Sequence, residues 1–147
     1  MRTTISRHEA IKLISRAREV AGDQAAIQEL LTEYRAPSIF DALLEVYAGV
    51  NNGFLSAVCE AIYGLRVEVI GTQTALLPCP CCHRRTMHEL FNTEQGTGYE
   101  ICEHCGWEDD GTSDEQESSS VNGGPMTEYR ERVAKERNYY DQEKWPY

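Results

Sequence analysis

Apolar residues recur at helical spacing through most of the first 64 positions of this chain. After Ser6, residues Ala10, Leu13, Ile14, Ala17 and Val20 fall three or four apart, the period of one helix face. Ser6 followed by Glu9 has the form of a capping box, in which each side chain satisfies a backbone N–H of the other. Ala21-Gly22-Asp23 interrupts the pattern, and Asp23 is a suitable N-cap for a second helix with Ile27, Leu30, Leu31 and Tyr34 on its apolar face. Ala36-Pro37-Ser38 ends that segment. Ser38 then caps a third helix carrying Leu43, Leu44, Val46 and Tyr47. Asn51-Asn52-Gly53 reads as a turn, and a fourth helix follows with Phe54, Leu55, Val58, Ile62 and Tyr63. From Leu65 to Ile70 the pattern switches to the alternation of a short strand.

Beyond residue 70 the helical period disappears. Residues 71–77 read as a linker. Thr86 to Phe91 and Gly98 to Ile101 are candidate strands of a hairpin turning over Asn92 to Thr97, with Gly96 in the turn. Residues 108–124 are polar, acidic and rich in Gly and Ser, the composition of a loop with little structure of its own. Past Gly123-Gly124-Pro125, Met126, Tyr129, Val133 and Tyr140 mark a last helix, roughly Thr127 to Tyr140. Glu128–Arg132 and Glu131–Lys135 are i,i+4 pairs in the favourable order. The predicted fold class is α+β. A helical domain over 1–72 is followed, over 77–147, by a small zinc ribbon with two cysteine knuckles, an acidic loop and a C-terminal helix.

The 147 residues suffice for one ordinary domain or two small ones. No apolar run approaches the ~18 residues of a membrane span. The opening Met1-Arg2-Thr3-Thr4-Ile5-Ser6-Arg7 lacks the apolar core of a secretory signal. The expectation is a soluble cytoplasmic protein whose thiols stay reduced and free for metal. The net charge of −10 is unevenly spread: residues 1–70 carry 7 basic and 9 acidic side chains, residues 71–147 carry 7 and 15. Nucleic-acid binding needs a basic surface to displace phosphate counterions, so direct nucleic-acid contact is not expected. A basic protein partner is the better electrostatic match.

The strongest chemical signal is Cys79-Pro80-Cys81-Cys82 followed, after nineteen residues, by Cys102-Glu103-His104-Cys105. Two C-x2-C pairs at this separation are the spacing of a four-thiolate zinc site. Each pair sits on a tight turn, and Gly106 after Cys105 supplies the positive φ such a turn needs. His83 holds the matching place after Cys82. Cys79, Cys82, Cys102 and Cys105 are therefore the expected ligands of one structural Zn²⁺, with no position left for water or substrate. Three competing patterns share these residues. Cys79 to His83 also spells the c-type haem attachment motif, which leaves the second pair unexplained. Pro78 to Cys82 matches half of a zinc-deaminase signature, but no His is followed two residues on by Glu. A thioredoxin-like dithiol would need a βαβ context that is not there. His104 lies between two ligands and offers an alternative fourth donor. Cys81 is either a redox thiol or a small residue packed inside the knuckle, and Cys59 falls on an apolar helix position.

Glu108, Asp109, Asp110, Asp114, Glu115 and Glu117 place six carboxylates in ten residues. Their spacing is not that of an EF-hand. They form either a solvated loop or a surface that docks into a basic cleft, with Trp107 as an anchor if it is exposed. No G-x-S-x-G, Walker A or H-E-x-x-H motif is found, so no enzyme activity is expected.

From Cys79 onward the chain resembles the bacterial cysteine-rich CPCC family. The resemblance is carried by Cys79-Pro80-Cys81-Cys82, Tyr99-Glu100-Ile101-Cys102, Cys105-Gly106-Trp107-Glu108-Asp109-Asp110-Gly111 and Asn122-Gly123-Gly124 with the helix after it. His83 stands where that pattern has Gly, and His104 where it has an apolar residue. The resemblance implies a small zinc-ribbon domain without a known reaction, in a family some of whose members look like neighbours of bacterial toxin genes. The function expected on these grounds is an immunity or antitoxin protein that neutralises a basic toxin partner, one encoded nearby. The partner-binding candidates are Trp107, Glu108, Asp109, Asp110, Asp114, Glu115 and Glu117. A zinc-ribbon adaptor in transcription or translation, and a thiol redox protein using Cys81, are the alternatives.

Overall fold

The structure, a computed structural model, describes residues 3–136 and 143–147. The chain divides into two compact units, Met1–Thr74 and Ala75–Tyr147. No described helix is long and apolar enough to cross a membrane.

The first unit runs β1 (Thr3–Ser6), α1 (Arg7–Ala21), α2 (Gln24–Tyr34), α3 (Ile39–Val46), α4 (Asn52–Tyr63) and β2 (Val67–Ile70). Local chemistry sets the helix starts. Ser6, Asp23 and Ser38 each accept a hydrogen bond from the backbone N–H three residues on. Gly22 and Gly64 end α1 and α4 in the left-handed region. The core is built from Ala10, Ile11 and Ile14 of α1, Ala42 and Leu43 of α3, Leu55 and Cys59 of α4, and Val69 of β2. Leu43 and Leu55 are fully buried, each worth about 2 kcal/mol of transfer free energy. α2 has no buried residue.

Four sets of polar contacts tie these elements together. The Arg7 guanidinium donates to the Tyr47 and Val50 carbonyls, both at 2.7 Å, and to Asn52 Oδ1 at 2.6 Å. Burial there pushes its pKa below the ordinary value. The Asn52 side-chain amide donates to the Gly71 carbonyl at 2.8 Å, and Val69 N–H donates to Ser56 Oγ at 3.1 Å. Tyr63 Oη donates to the Leu13 carbonyl at 2.6 Å, joining α4 to α1.

The strand expected from Leu65 to Ile70 is present as β2, and the first unit carries a second strand, β1, that the helical reading of residues 1–64 did not include. β1 and β2 form a two-stranded parallel sheet with Thr3 opposite Val67 and Ser6 opposite Ile70. A four-residue strand with a partner more than sixty residues away leaves no local pairing signal. Asn51-Asn52-Gly53 is not a turn either: Asn51 holds the N-cap position, and Asn52 and Gly53 open α4.

The second unit contains β3 (Leu77–Pro78), β4 (Arg85–Met87) and α5 (Met126–Glu136). Its core gathers Cys79, Cys81, Met87, Cys102, Cys105, Trp107 and Met126, with Tyr129 packed against them. The Trp107 ring meets the Tyr129 ring edge-on at 5.1 Å. Its Nε1–H has no partner among the described residues, so its contribution is apolar burial alone. The C-terminal residues close over β4. Arg85 N–H donates to the Pro146 carbonyl at 2.7 Å, Arg84 donates to the Trp145 carbonyl at 2.8 Å, and the Arg84 guanidinium lies over the Tyr147 ring.

The expected hairpin of residues 86–91 with 98–101 does not form. β4 pairs antiparallel with β3 across the first cysteine turn, and residues 99–102 bond to 107–109 across the second. The turn over Asn92 to Thr97 is present, closed by reciprocal backbone bonds of 3.0 Å. Each knuckle thus closes its own ladder, because the chain reverses within the cysteine turn itself. The described residues hold five helices, two small sheets and a cluster of four cysteines. Residues 108–124 are also more ordered than their composition suggests. The last helix begins at Met126, and Tyr140 lies outside the described residues.

Candidate metal centre

The two C-x2-C segments repeat one bonding scheme at equal offsets. Cys79 N–H donates to the Arg84 carbonyl at 2.8 Å, and Cys102 N–H to the Trp107 carbonyl at 2.9 Å. His83 N–H donates to the Cys79 carbonyl, and Gly106 N–H to the Cys102 carbonyl, both at 2.9 Å. The residue closing each turn is left-handed, with φ of 66° at His83 and 82° at Gly106. Glycine adopts that region freely, and histidine at some cost.

The turns present their sulfurs to one another. Cys79, Cys82, Cys102 and Cys105 have all four Sγ atoms within 4.8 Å. The Cys79–Cys105 and Cys82–Cys102 separations are both 3.7 Å. That is far longer than a disulfide of about 2.05 Å. It is close to the edge, about 3.8 Å, of a tetrahedron with metal–sulfur bonds of about 2.3 Å. His104 is not in this set, and both cysteines of the haem-type pattern are already in it. The donor set therefore fits a single thiophilic ion.

The surroundings favour negative charge on one sulfur in particular. Cys102 Sγ receives His104 N–H at 3.3 Å, Cys105 N–H at 3.4 Å and the Thr86 hydroxyl at 3.0 Å. With bonds from the Cys105, Cys79 and Cys82 thiols added, its pKa is pushed far down. Cys79, Cys82 and Cys105 are pushed up, in each case chiefly by facing the Cys102 sulfur. Among the described residues one N–H, that of Cys81 at 3.4 Å, is directed at Cys79 Sγ.

Sequence spacing did not single out the groups that fix the two knuckles from α5. Tyr129 Oη donates to the Cys105 carbonyl at 2.8 Å, and Arg130 Nε to the Cys81 carbonyl at 2.6 Å. Arg130 also pairs with Glu115 at 2.8 Å. Tyr129 belonged to an expected apolar stripe, but no pattern marked its hydroxyl or Arg130 as knuckle contacts. Cys81 is fully buried, so it is not offered as an accessible redox thiol. Its pKa is lowered by the Cys105 thiol, against burial, with help from Arg130.

The seven partner-binding candidates separate into two groups. Trp107 is 0 % exposed and Asp109 4 %, so neither belongs to a docking surface. Asp109 is turned inward: its carboxylate accepts Phe91 N–H at 2.7 Å and Gly111 N–H at 3.3 Å. Asp110 accepts Thr112 N–H at 3.0 Å and the Ser119 hydroxyl at 2.7 Å. Glu108 is half-buried, its backbone held by both ends of the Asn122 amide at 2.8 Å. Glu115 is taken by Arg130. Asp114 and Glu117 remain exposed, with Asp114 accepting Gln116 N–H. Beside this loop lies a cleft of about 400 Å³ lined by Pro78, Pro80, Leu90, Phe91 and Thr112.

Residues 77–137 match the family described as Cysteine-rich CPCC, a match to the second unit and not to the first. No curated protein and no solved structure matches the chain.

Proposed function

We propose that this protein acts by binding a basic protein partner, as an immunity or antitoxin protein does, and that one structural Zn²⁺ on Cys79, Cys82, Cys102 and Cys105 holds its second unit in shape. The observation that carries the metal assignment is the packing of four sulfurs within 4.8 Å of one another, with two opposite edges of 3.7 Å, between repeated turns. When bound, the ion would supply folding free energy. The chain's residues do the rest. Thr86 and the backbone N–H groups of His104 and Cys105 stabilise thiolate at Cys102, and α5 fixes the knuckles through Tyr129 and Arg130.

The binding role is supported by the −10 net charge and by exposed Asp114 and Glu117 on a loop tied in by hydrogen bonds to the Asp109, Asp110 and Glu115 carboxylates. A preordered acidic loop loses little conformational entropy on docking. The adjacent cleft supplies apolar surface for a partner side chain. The test is co-expression with the product of the neighbouring gene, together with capture of that product at low salt. Protection and capture are expected, and both should weaken in the Asp114→Lys, Glu117→Lys double variant while its zinc content stays at one. Absence of capture and of protection would refute the binding role and leave the metal assignment intact.

A further inference from the structure

Among the six cysteines, Cys82 is the one that is not buried: Cys59, Cys79, Cys81, Cys102 and Cys105 all are. Its sulfur also has little hydrogen-bond support. Cys102 Sγ has three polar donors and Cys79 Sγ has one, whereas no N–H or O–H donor is directed at Cys82 Sγ among the described residues. Hydrogen bonds to a thiolate draw charge from the sulfur and lower its nucleophilicity. Cys105 Sγ lacks such a donor too, but it is 4 % exposed and walled in by Trp107 and Tyr129. A thiolate already held by a metal is the more reactive the more exposed it is and the less its charge is drawn off by hydrogen bonds.

We infer that Cys82 is a peroxide-reactive position of the cluster, and that its oxidation joins it to Cys102 and disables the metal site. The Cys82 sulfur attacks one peroxide oxygen, the O–O bond breaks and hydroxide leaves, giving a sulfenic acid. The Cys102 thiolate, 3.7 Å away, then attacks the Cys82 sulfur. An S–S bond forms, the S–O bond breaks and a second hydroxide leaves. The two cysteines lose two electrons, and the two hydroxides take up two protons from solvent, so one hydrogen peroxide becomes two waters. Two of the four ligands are then withdrawn, one from each knuckle. This inference rests on the metal assignment above and moves to Cys82 the redox chemistry that was one alternative for Cys81.

The experiment uses full-length zinc-loaded protein freed of reductant, with zinc content measured first. Limiting N-ethylmaleimide should label Cys82 ahead of every other cysteine by on the order of tenfold. One equivalent of hydrogen peroxide should release one zinc to a chromophoric chelator and leave a Cys82–Cys102 cross-link in the mass spectrum of the unreduced peptides. The Cys81→Ser variant, which keeps all four ligands, should behave in the same way. First labelling at another cysteine would overturn the inference while the metal assignment stands. So would a cross-link through Cys81, or zinc release without modification of Cys82. A protein that takes up no zinc would overturn both.

Discussion

At the scale of single residues, the account rests on groups that support a sulfur or a turn from a distance. Thr86 is fully inside, and its hydroxyl contacts Cys102 at 3.0 Å. Thr86→Val keeps the shape and removes the donor, so zinc affinity should fall about 10- to 100-fold in a chelator competition while the helical signal is unchanged. Asp110 gives a pH prediction. Burial works against its charge, but bonds from Thr112 and Ser119 outweigh that and hold its pKa below the ordinary 3.8. A depressed folded pKa stabilises fully above the ordinary value and progressively less as pH falls through the folded one. Asp110→Asn should therefore cost about 1 kcal/mol at neutral pH, and the gap to the parent should close as pH falls below about 4. Thermal melts of the two proteins across pH check this. Such groups were not legible in the sequence, since Thr86 and Cys102 lie sixteen positions apart. The caps at Ser6, Asp23 and Ser38 were legible because a cap acts three residues along the chain.

At the scale of elements, helices were readable and strand pairing was not. A helix declares its period within its own span, and the four in the first unit follow their apolar stripes. β1 needs a partner across four helices, and the candidate strand over 86–91 had two directions in which to pair. The cysteine turn decided between them. The second unit shows why residues 88–111 hold their path without regular structure. The Phe91 ring lies between two glycines, where an added Cβ would come within 2.5 Å of it at Gly98 and 2.6 Å at Gly111. Both positions also have positive φ, 137° and 88°. Gly98→Ala or Gly111→Ala should each destabilise the second unit by about 1–3 kcal/mol, read as a lower melting point of the zinc-loaded protein. In the first unit, Arg7 binds the end of α3 to the start of α4. Arg7→Ala leaves carbonyls of Tyr47 and Val50 without their charged donor and should cost about 2–3 kcal/mol in urea unfolding followed by circular dichroism.

At the scale of the whole molecule, the sequence showed two halves of different character: a periodic helical half, and an acidic half organised by cysteines. The structure gives each its own core. The first unit is held by aliphatic packing between helices and one small sheet. The second has few large apolar residues, and its cluster is largely the cysteines themselves. A core that small does not stabilise some seventy residues unaided. Metal binding should therefore be equivalent to folding for the second unit and irrelevant to the first. Amide hydrogen exchange read by mass spectrometry, on zinc-loaded protein and on protein treated with a strong chelator, tests this most directly. Chelation should abolish protection at residues 77–107 and in α5 while α1, α3 and α4 stay protected. Protection that survives chelation in the second unit, or that disappears from both units together, would contradict the account.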